Sequence, residues 1–247
     1  MTGLVPNVRE IEAIIFDIGG TLRERVPDEK YQAQAHARML NLLGKPDASQ
    51  DYLDELARRF ESYSAWAQEK LIESPEEEIW TRWIVPELPR ERIAPHTVEL
   101  MILWRDRQGR AVPRPDAHKV ITELSARGYR LGVISNTTSS VDVPRSLETY
   151  GLGHFGVIIL SSTSRRRKPA PEIFWEAARA LGVEPARCAY LGDRLSRDVV
   201  GSKRAGFAMA ILIEARGSMT EPQDGMPKPD ATIHSLSELL EIFPSRS

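Results

Sequence analysis

The chain has 247 residues and a net charge of −2, from 33 Lys and Arg against 35 Asp and Glu. That length accommodates one large domain or two small ones, and the charge balance carries no footprint of a nucleic-acid binder. A single cysteine, Cys188 in "RCAYLGD", excludes an intramolecular disulfide and a thiolate metal cluster, and reads as a small buried strand residue. The opening "MTGLVPNVRE" has no apolar signal core, and no apolar stretch is long enough to cross a bilayer. A cytoplasmic protein without a membrane partner is expected.

The first element is the apolar run "AIIFD" (13–17), which ends in Asp17 and turns through Gly19 and Gly20. Residues 26 to about 111 then contain no convincing strand. "YLDELARRFESYSAWAQEKL" places Leu53, Leu56, Ala57, Phe60, Tyr63, Ala67 and Leu71 at helical spacing. "SPEEEIWTRW" reads as a helix start with Ser74 as N-cap, Pro75 in the first helical position and Glu77 completing a capping box. Trp66, Trp80, Trp83 and Trp104 all fall in this block, either as its core or, for one or two of them, as a pocket lining.

Beyond residue 111, short apolar runs alternate with helices. The runs are "RLGVISN" (130–136), "GVIILSS" (156–162), "CAYLGD" (188–193) and "FAMAILIE" (207–214). Continuous apolar runs suit strands buried on both faces, as in a parallel sheet. Between them, "DAHKVITELSARGY" aligns Val120, Ile121 and Leu124. "APEIFWEAARALGV" aligns Ile173, Phe174, Ala177 and Leu181, and "DVVGSKRAGF" stops at Gly206. The alternation predicts a doubly wound α/β core, residues 1–25 and 112–247, with residues 26–111 inserted as an all-helical domain. "LRERVPD" and "RDRQGRAVPRPD" are the expected hinges.

Ligands of such sheets sit beyond the carboxyl ends of the strands. Asp17, Ser135 with Asn136, and Gly192 with Asp193 fall at three such ends. Asp17 and Asp193 at one spot would repel each other unless a cation neutralised them, and Mg²⁺ suits one or two carboxylates, a backbone carbonyl and a phosphate. Asp198, at the next helix start, is placed to hold a metal-bound water or to orient Lys168. Lys168 in "RRRKPAPEIF" is placed to bind phosphate. Arg165, Arg166 and Arg167 read mainly as a solvated loop, with one of them a candidate to recruit an anionic substrate.

These residues give the chain a resemblance, over essentially its whole length, to the haloacid dehalogenase-like (HAD) hydrolase superfamily, in the subfamily with a helical C1 cap. "FDIGGTL" is similar to motif I, "VISNTT" to motif II, "RKPAPEIF" to motif III and "YLGDRLSRDVVGSKRAGF" to motif IV. The resemblance implies a Rossmann-like core with a helical cap, and Asp17 as the nucleophile that forms an aspartyl-phosphate. It also implies phosphate held by Ser135, Asn136 and Lys168, and Mg²⁺ held by Asp17, the Gly19 carbonyl and Asp193, with Asp198 behind them. The departure is Gly19, where most phosphatases of the superfamily have a second Asp as general acid and base. The implied activity is a Mg²⁺-dependent phosphatase on a small phosphorylated metabolite, as a monomer or homodimer. The alternatives are a non-catalytic phospho-ligand binder and a 2-haloacid dehalogenase.

Overall fold

The computed structural model describes residues 7–214 and 225–246. Residues 1–6, part of the opening segment read as lacking a signal core, lie outside the described residues. The elements run β1 Ala13–Phe16, β2 Arg23–Val26, α1 Glu29–Leu43, α2 Gln50–Lys70, α3 Glu76–Glu78, α4 Arg90–Ile93 and α5 Thr97–Asp106. They continue with β3 Arg110–Pro113, α6 Ala117–Ala126, β4 Arg130–Ser135, α7 Asp142–Thr149, β5 Phe155–Leu160, α8 Ser161–Ser164 and α9 Pro171–Leu181. The order closes with β6 Cys188–Gly192, α10 Val200–Arg204, β7 Met209–Ile213, β8 Ala231–Ile233 and α11 Leu239–Ile242. No helix among the described residues is long and apolar enough to cross a membrane.

Six strands form one parallel sheet in the order β5-β4-β1-β6-β7-β8. The unbroken apolar runs are explained by its two covered faces. Within β1, Ile14 and Phe16 pack with Val120, Ile121 and Leu124 of α6 on one face. Ala13 and Ile15 pack with Ile173, Phe174 and Ala177 of α9 on the other. Alternate residues of one run therefore serve two helical layers. Cys188 joins the α9 layer, fully buried, and burial pushes its thiol up to about 12, which removes thiolate chemistry at neutral pH.

Between β1 and β4 the chain leaves the sheet. β2 and β3 pair antiparallel as a two-stranded ribbon, with Glu24 opposite Val112. The sequence did not reveal this ribbon, because "RERV" and "RAVP" are too charged and short to read as strands. The helices between them enclose their own apolar cluster, which includes Met39, Leu43, Leu56, Tyr63, Leu100 and Met101. Trp80 and Trp104 are buried in it edge to face, 6.0 Å apart, and Trp66 and Trp83 pack on it half-buried. All four insert tryptophans thus contribute to the insert's core.

The predicted capping box does not form. Pro75 takes the N-cap position without a side-chain hydrogen bond, and the Ser74 N–H donates instead to the Tyr63 hydroxyl at 2.9 Å. Glu77 accepts from Arg90 at 2.8 Å. The reason is tertiary: Ile72 bridges antiparallel to Arg166, and this fixes the path of the chain into Ser74.

Candidate active site

In this strand order the chain reverses direction across the sheet at β1, between β4 and β6, and a crevice opens there beyond the strand ends. Asp17 follows β1, Ser135 ends β4, and Asp193 follows β6. The Asp17 N–H donates to the Leu191 carbonyl at 2.8 Å, so the sheet ladder itself fixes the start of the Asp17 loop.

Lys168 is fully buried beneath these acids. Its Nζ lies 2.6 Å from Asp17 Oδ1 and 2.6 Å from Asp198 Oδ1, and it donates to the Tyr190 hydroxyl at 2.8 Å. A buried ammonium is tolerated only when paired in this way. Asp198 is also fully buried, and its Oδ2 accepts from the Arg194 N–H at 3.0 Å. Both Asp198 oxygens are therefore engaged by protein partners, one of them Lys168.

Asp17, Asp193 and Asp198 each offer an oxygen within 4.8 Å of the others. Asp193 Oδ1 is buried and, among the described residues, has no hydrogen-bond partner. An orphaned buried carboxylate oxygen within a cluster of carboxylates is the donor set a hard cation takes. Burial pushes Asp193 up to about 7, with the charges of Asp17 and Asp198 adding to it. Burial also raises Asp17, against the opposing pull of Lys168. Arg197 lies in the same field: burial opposes its charge, yet Asp198, Asp17 and Asp193 hold its guanidinium above the usual range.

The two glycines after Asp17 differ. Gly20 has φ +80°, and a Cβ there would collide with the Asp193 carboxylate. Gly19 has no positive φ, and a Cβ there would meet nothing within 4 Å. Only Gly20 is demanded by backbone geometry. At Gly19 neither the backbone nor the space around a Cβ demands glycine.

Ser135 is buried at the crevice, and Asn136 follows it with its side chain on the Lys168 backbone. The Asn136 side chain accepts from the Lys168 N–H at 2.8 Å and donates to the Lys168 carbonyl at 3.0 Å. Its side chain clamps the lysine loop, leaving only its backbone N–H for an anion. Arg167 is not part of a solvated loop. It forms an ion pair with Glu73, which is fully buried in the helical insert. Two contributors were missed in the sequence. Tyr190 lies inside an apolar run, where it reads as core. Arg114 donates to the Gly20 carbonyl at 2.6 Å across 94 positions of sequence, which no local pattern reveals.

The haloacid dehalogenase-like hydrolase family matches residues 11–206. The chain belongs to that hydrolase family. It is similar to the glyceraldehyde 3-phosphate phosphatase of Methanopyrus kandleri, 35% identical over 53% of this chain and 56% of that protein. That match spans about half the relative's length. It is also similar to the phosphoglycolate phosphatase of Neisseria meningitidis, 26% identical over 95% of this chain and 94% of that one. Among solved structures, a HAD phosphatase from Thermococcus onnurineus superposes with TM-score 0.62 at 26% identity, covering 96% of this chain and all of that one. A 2-haloacid dehalogenase from Pseudomonas syringae shares the fold with TM-score 0.62 at 23% identity, covering 94% and 97%.

Proposed function

We propose that the chain is a Mg²⁺-dependent phosphatase of a small phosphorylated metabolite, acting through an aspartyl-phosphate on Asp17. The observation that carries this reading is the orphaned Asp193 oxygen in a cluster of three carboxylates, Asp17, Asp193 and Asp198, braced by Lys168. Phosphatase names among the relatives support it. A haloacid dehalogenase needs no metal, and the Asp193 oxygen would then stay buried without a partner.

In this reading Asp17, the Gly19 carbonyl and Asp193 hold Mg²⁺, which when bound offsets charge on the phosphoryl oxygens. Asp17 attacks phosphorus in line through the oxygen not bonded to Lys168, and the substrate oxygen departs. Thr21 Oγ1, 3.4 Å from Asp17 Oδ2, is placed to orient that second oxygen. Lys168 and the Ser135 hydroxyl stabilise the equatorial oxygens, and the Asn136 N–H completes the cradle. Water then cleaves the aspartyl-phosphate and restores Asp17. The helical insert, residues 26–111, acts as the cap, and the β2–β3 ribbon is its hinge.

The testing experiment is a phosphate-release screen over small phosphorylated metabolites, with Mg²⁺ and with EDTA. Release that requires Mg²⁺ is expected, and full activity in EDTA would overturn the assignment. A pH dependence follows from Asp193. Its metal-free value of about 7 means that a proton competes with Mg²⁺ below that pH. Mg²⁺ affinity is therefore expected to rise with pH and to level above about 7, measured by titration calorimetry. Metal-free stability should move the other way. A carboxylate raised in the fold binds its proton more tightly there than in the unfolded chain, so its contribution is lost as pH rises through about 7. Asp193→Asn should flatten both profiles.

A further inference from the structure

The helical insert is bonded to the loops of the crevice residue by residue. Arg105 of α5 donates to Thr137 Oγ1 at 3.3 Å, Thr138 Oγ1 meets Met101 Sδ at 3.0 Å, and the Ser140 N–H donates to Glu76 Oε1 at 2.8 Å. The loop that follows Ser135 therefore rests on the insert. A second contact reaches the loop before Lys168. Ile72 bridges Arg166, the Glu73 N–H donates to the Arg165 carbonyl at 3.3 Å, and the Arg167 N–H donates to the Leu71 carbonyl at 3.1 Å.

Glu73 joins the two contacts. It is fully buried, although a carboxylate is rarely so unless paired. It accepts from the Tyr63 hydroxyl within the insert and pairs with Arg167, next to Lys168 in sequence. Its Oε2 also accepts from Ser161 Oγ at 2.8 Å, and Ser161 Oγ in turn accepts the Thr137 N–H at 2.8 Å. One carboxylate of the insert thus ties the lysine loop to the serine loop. Leu71 and Arg165, the two non-glycine residues with positive φ among the described residues, lie one on each strand of this bridge. Such backbone is costly for a residue with a side chain and persists where surrounding contacts over-determine it.

We propose that Glu73 is a positioning residue that tightens the phosphate cradle when the insert is closed, adding a second tie to the Asn136 clamp between the two loops. With Glu73 seated, Arg167 and Ser161 are held together, so Lys168 and the Ser135–Thr137 segment keep their spacing. When the insert swings away, Arg167 loses its buried partner, and the two loops are joined only by the Asn136 clamp on the Lys168 backbone. A bound phosphoryl group, which needs both loops in place, then favours closure. The proposal rests on the phosphatase reading for its kinetics but not for its structural readout.

The test uses the full chain with Glu73→Ala and Glu73→Gln, Mg²⁺, inorganic phosphate as ligand and p-nitrophenyl phosphate as substrate. Hydrogen exchange at the Glu73 and Arg167 amides reports closure directly, because both amides bond across the bridge. In wild type, phosphate is expected to slow exchange at these two amides. Glu73→Ala should speed it, with the β1 and β6 amides still protected. It should also weaken phosphate binding and lower kcat/KM by about tenfold or more, with KM raised and kcat lowered together, equivalent to about 1.4 kcal/mol. Glu73→Gln keeps an acceptor oxygen but not the charge opposite Arg167, and should fall between. Exchange and phosphate affinity within twofold of wild type in folded Glu73→Ala would overturn the proposal. If that variant does not fold, the same result in Glu73→Gln overturns it. A wild type without phosphatase activity would refute the functional reading alone, and the exchange data would still decide the role of Glu73.

Discussion

Asp17→Asn is expected to abolish phosphate release from every substrate, a loss on the order of 10⁴–10⁶-fold as for other covalent nucleophiles. An amide cannot form the aspartyl-phosphate, and Lys168 would have lost one of its two anionic partners. Stability should not follow activity. Burial and the charge of Asp198 both disfavour ionisation of Asp17 in the metal-free fold, although Lys168 opposes them. A neutral side chain removes that cost and leaves Lys168 paired with Asp198. The metal-free variant is therefore expected to melt at or above the wild-type temperature, and Mg²⁺ should raise its Tm less than it raises that of wild type. Residual turnover within tenfold of wild type, in a variant that melts cooperatively, would move the nucleophile elsewhere.

Gly19→Asp is expected to change which substrates are cleaved fastest. Without an acid at position 19, the leaving oxygen departs unprotonated, which suits aryl or anomeric phosphates and penalises alkyl phosphates. General acid catalysis is typically worth about 10²–10⁴-fold, or roughly 3–5 kcal/mol. An aspartate at position 19 meets no atom within 4 Å of its Cβ and needs no left-handed backbone, so it should be accommodated without moving the adjacent carbonyl. The ratio of kcat/KM for an alkyl phosphate to that for an aryl phosphate should rise by up to that factor. An unchanged ratio in a folded, Mg²⁺-binding variant would mean that another residue already supplies the proton. Gly20→Asp is the control: its Cβ meets the Asp193 carboxylate, so it should impair metal binding.

The sequence by itself determined the α/β alternation and the crevice acids. The expected strands at 13–17, 130–136, 156–162, 188–193 and 207–214 correspond to β1, β4, β5, β6 and β7. They were legible because a strand covered on both faces must be apolar throughout. Asp17 and Asp193 were legible because polar residues at the ends of apolar runs need a local reason, and Lys168 and Asp198 because they stand near helix starts within motifs that complete the resemblance. What the sequence did not reveal is non-local. β8 has three residues and lies at the sheet edge, too short for a pattern. The Asn136 side chain gave no sign that it clamps the Lys168 backbone, 32 positions away. Ser74 and Glu77 have the capping-box spacing, yet the bridge from Ile72 to Arg166 fixed a different helix start. Arg167 reads as part of a solvated loop, because the cost of burying it is cancelled only by Glu73, a partner 94 positions away. Spacing along the chain encodes which residues share a face of one element. Which charges neutralise one another between elements is decided when the insert and the sheet pack together.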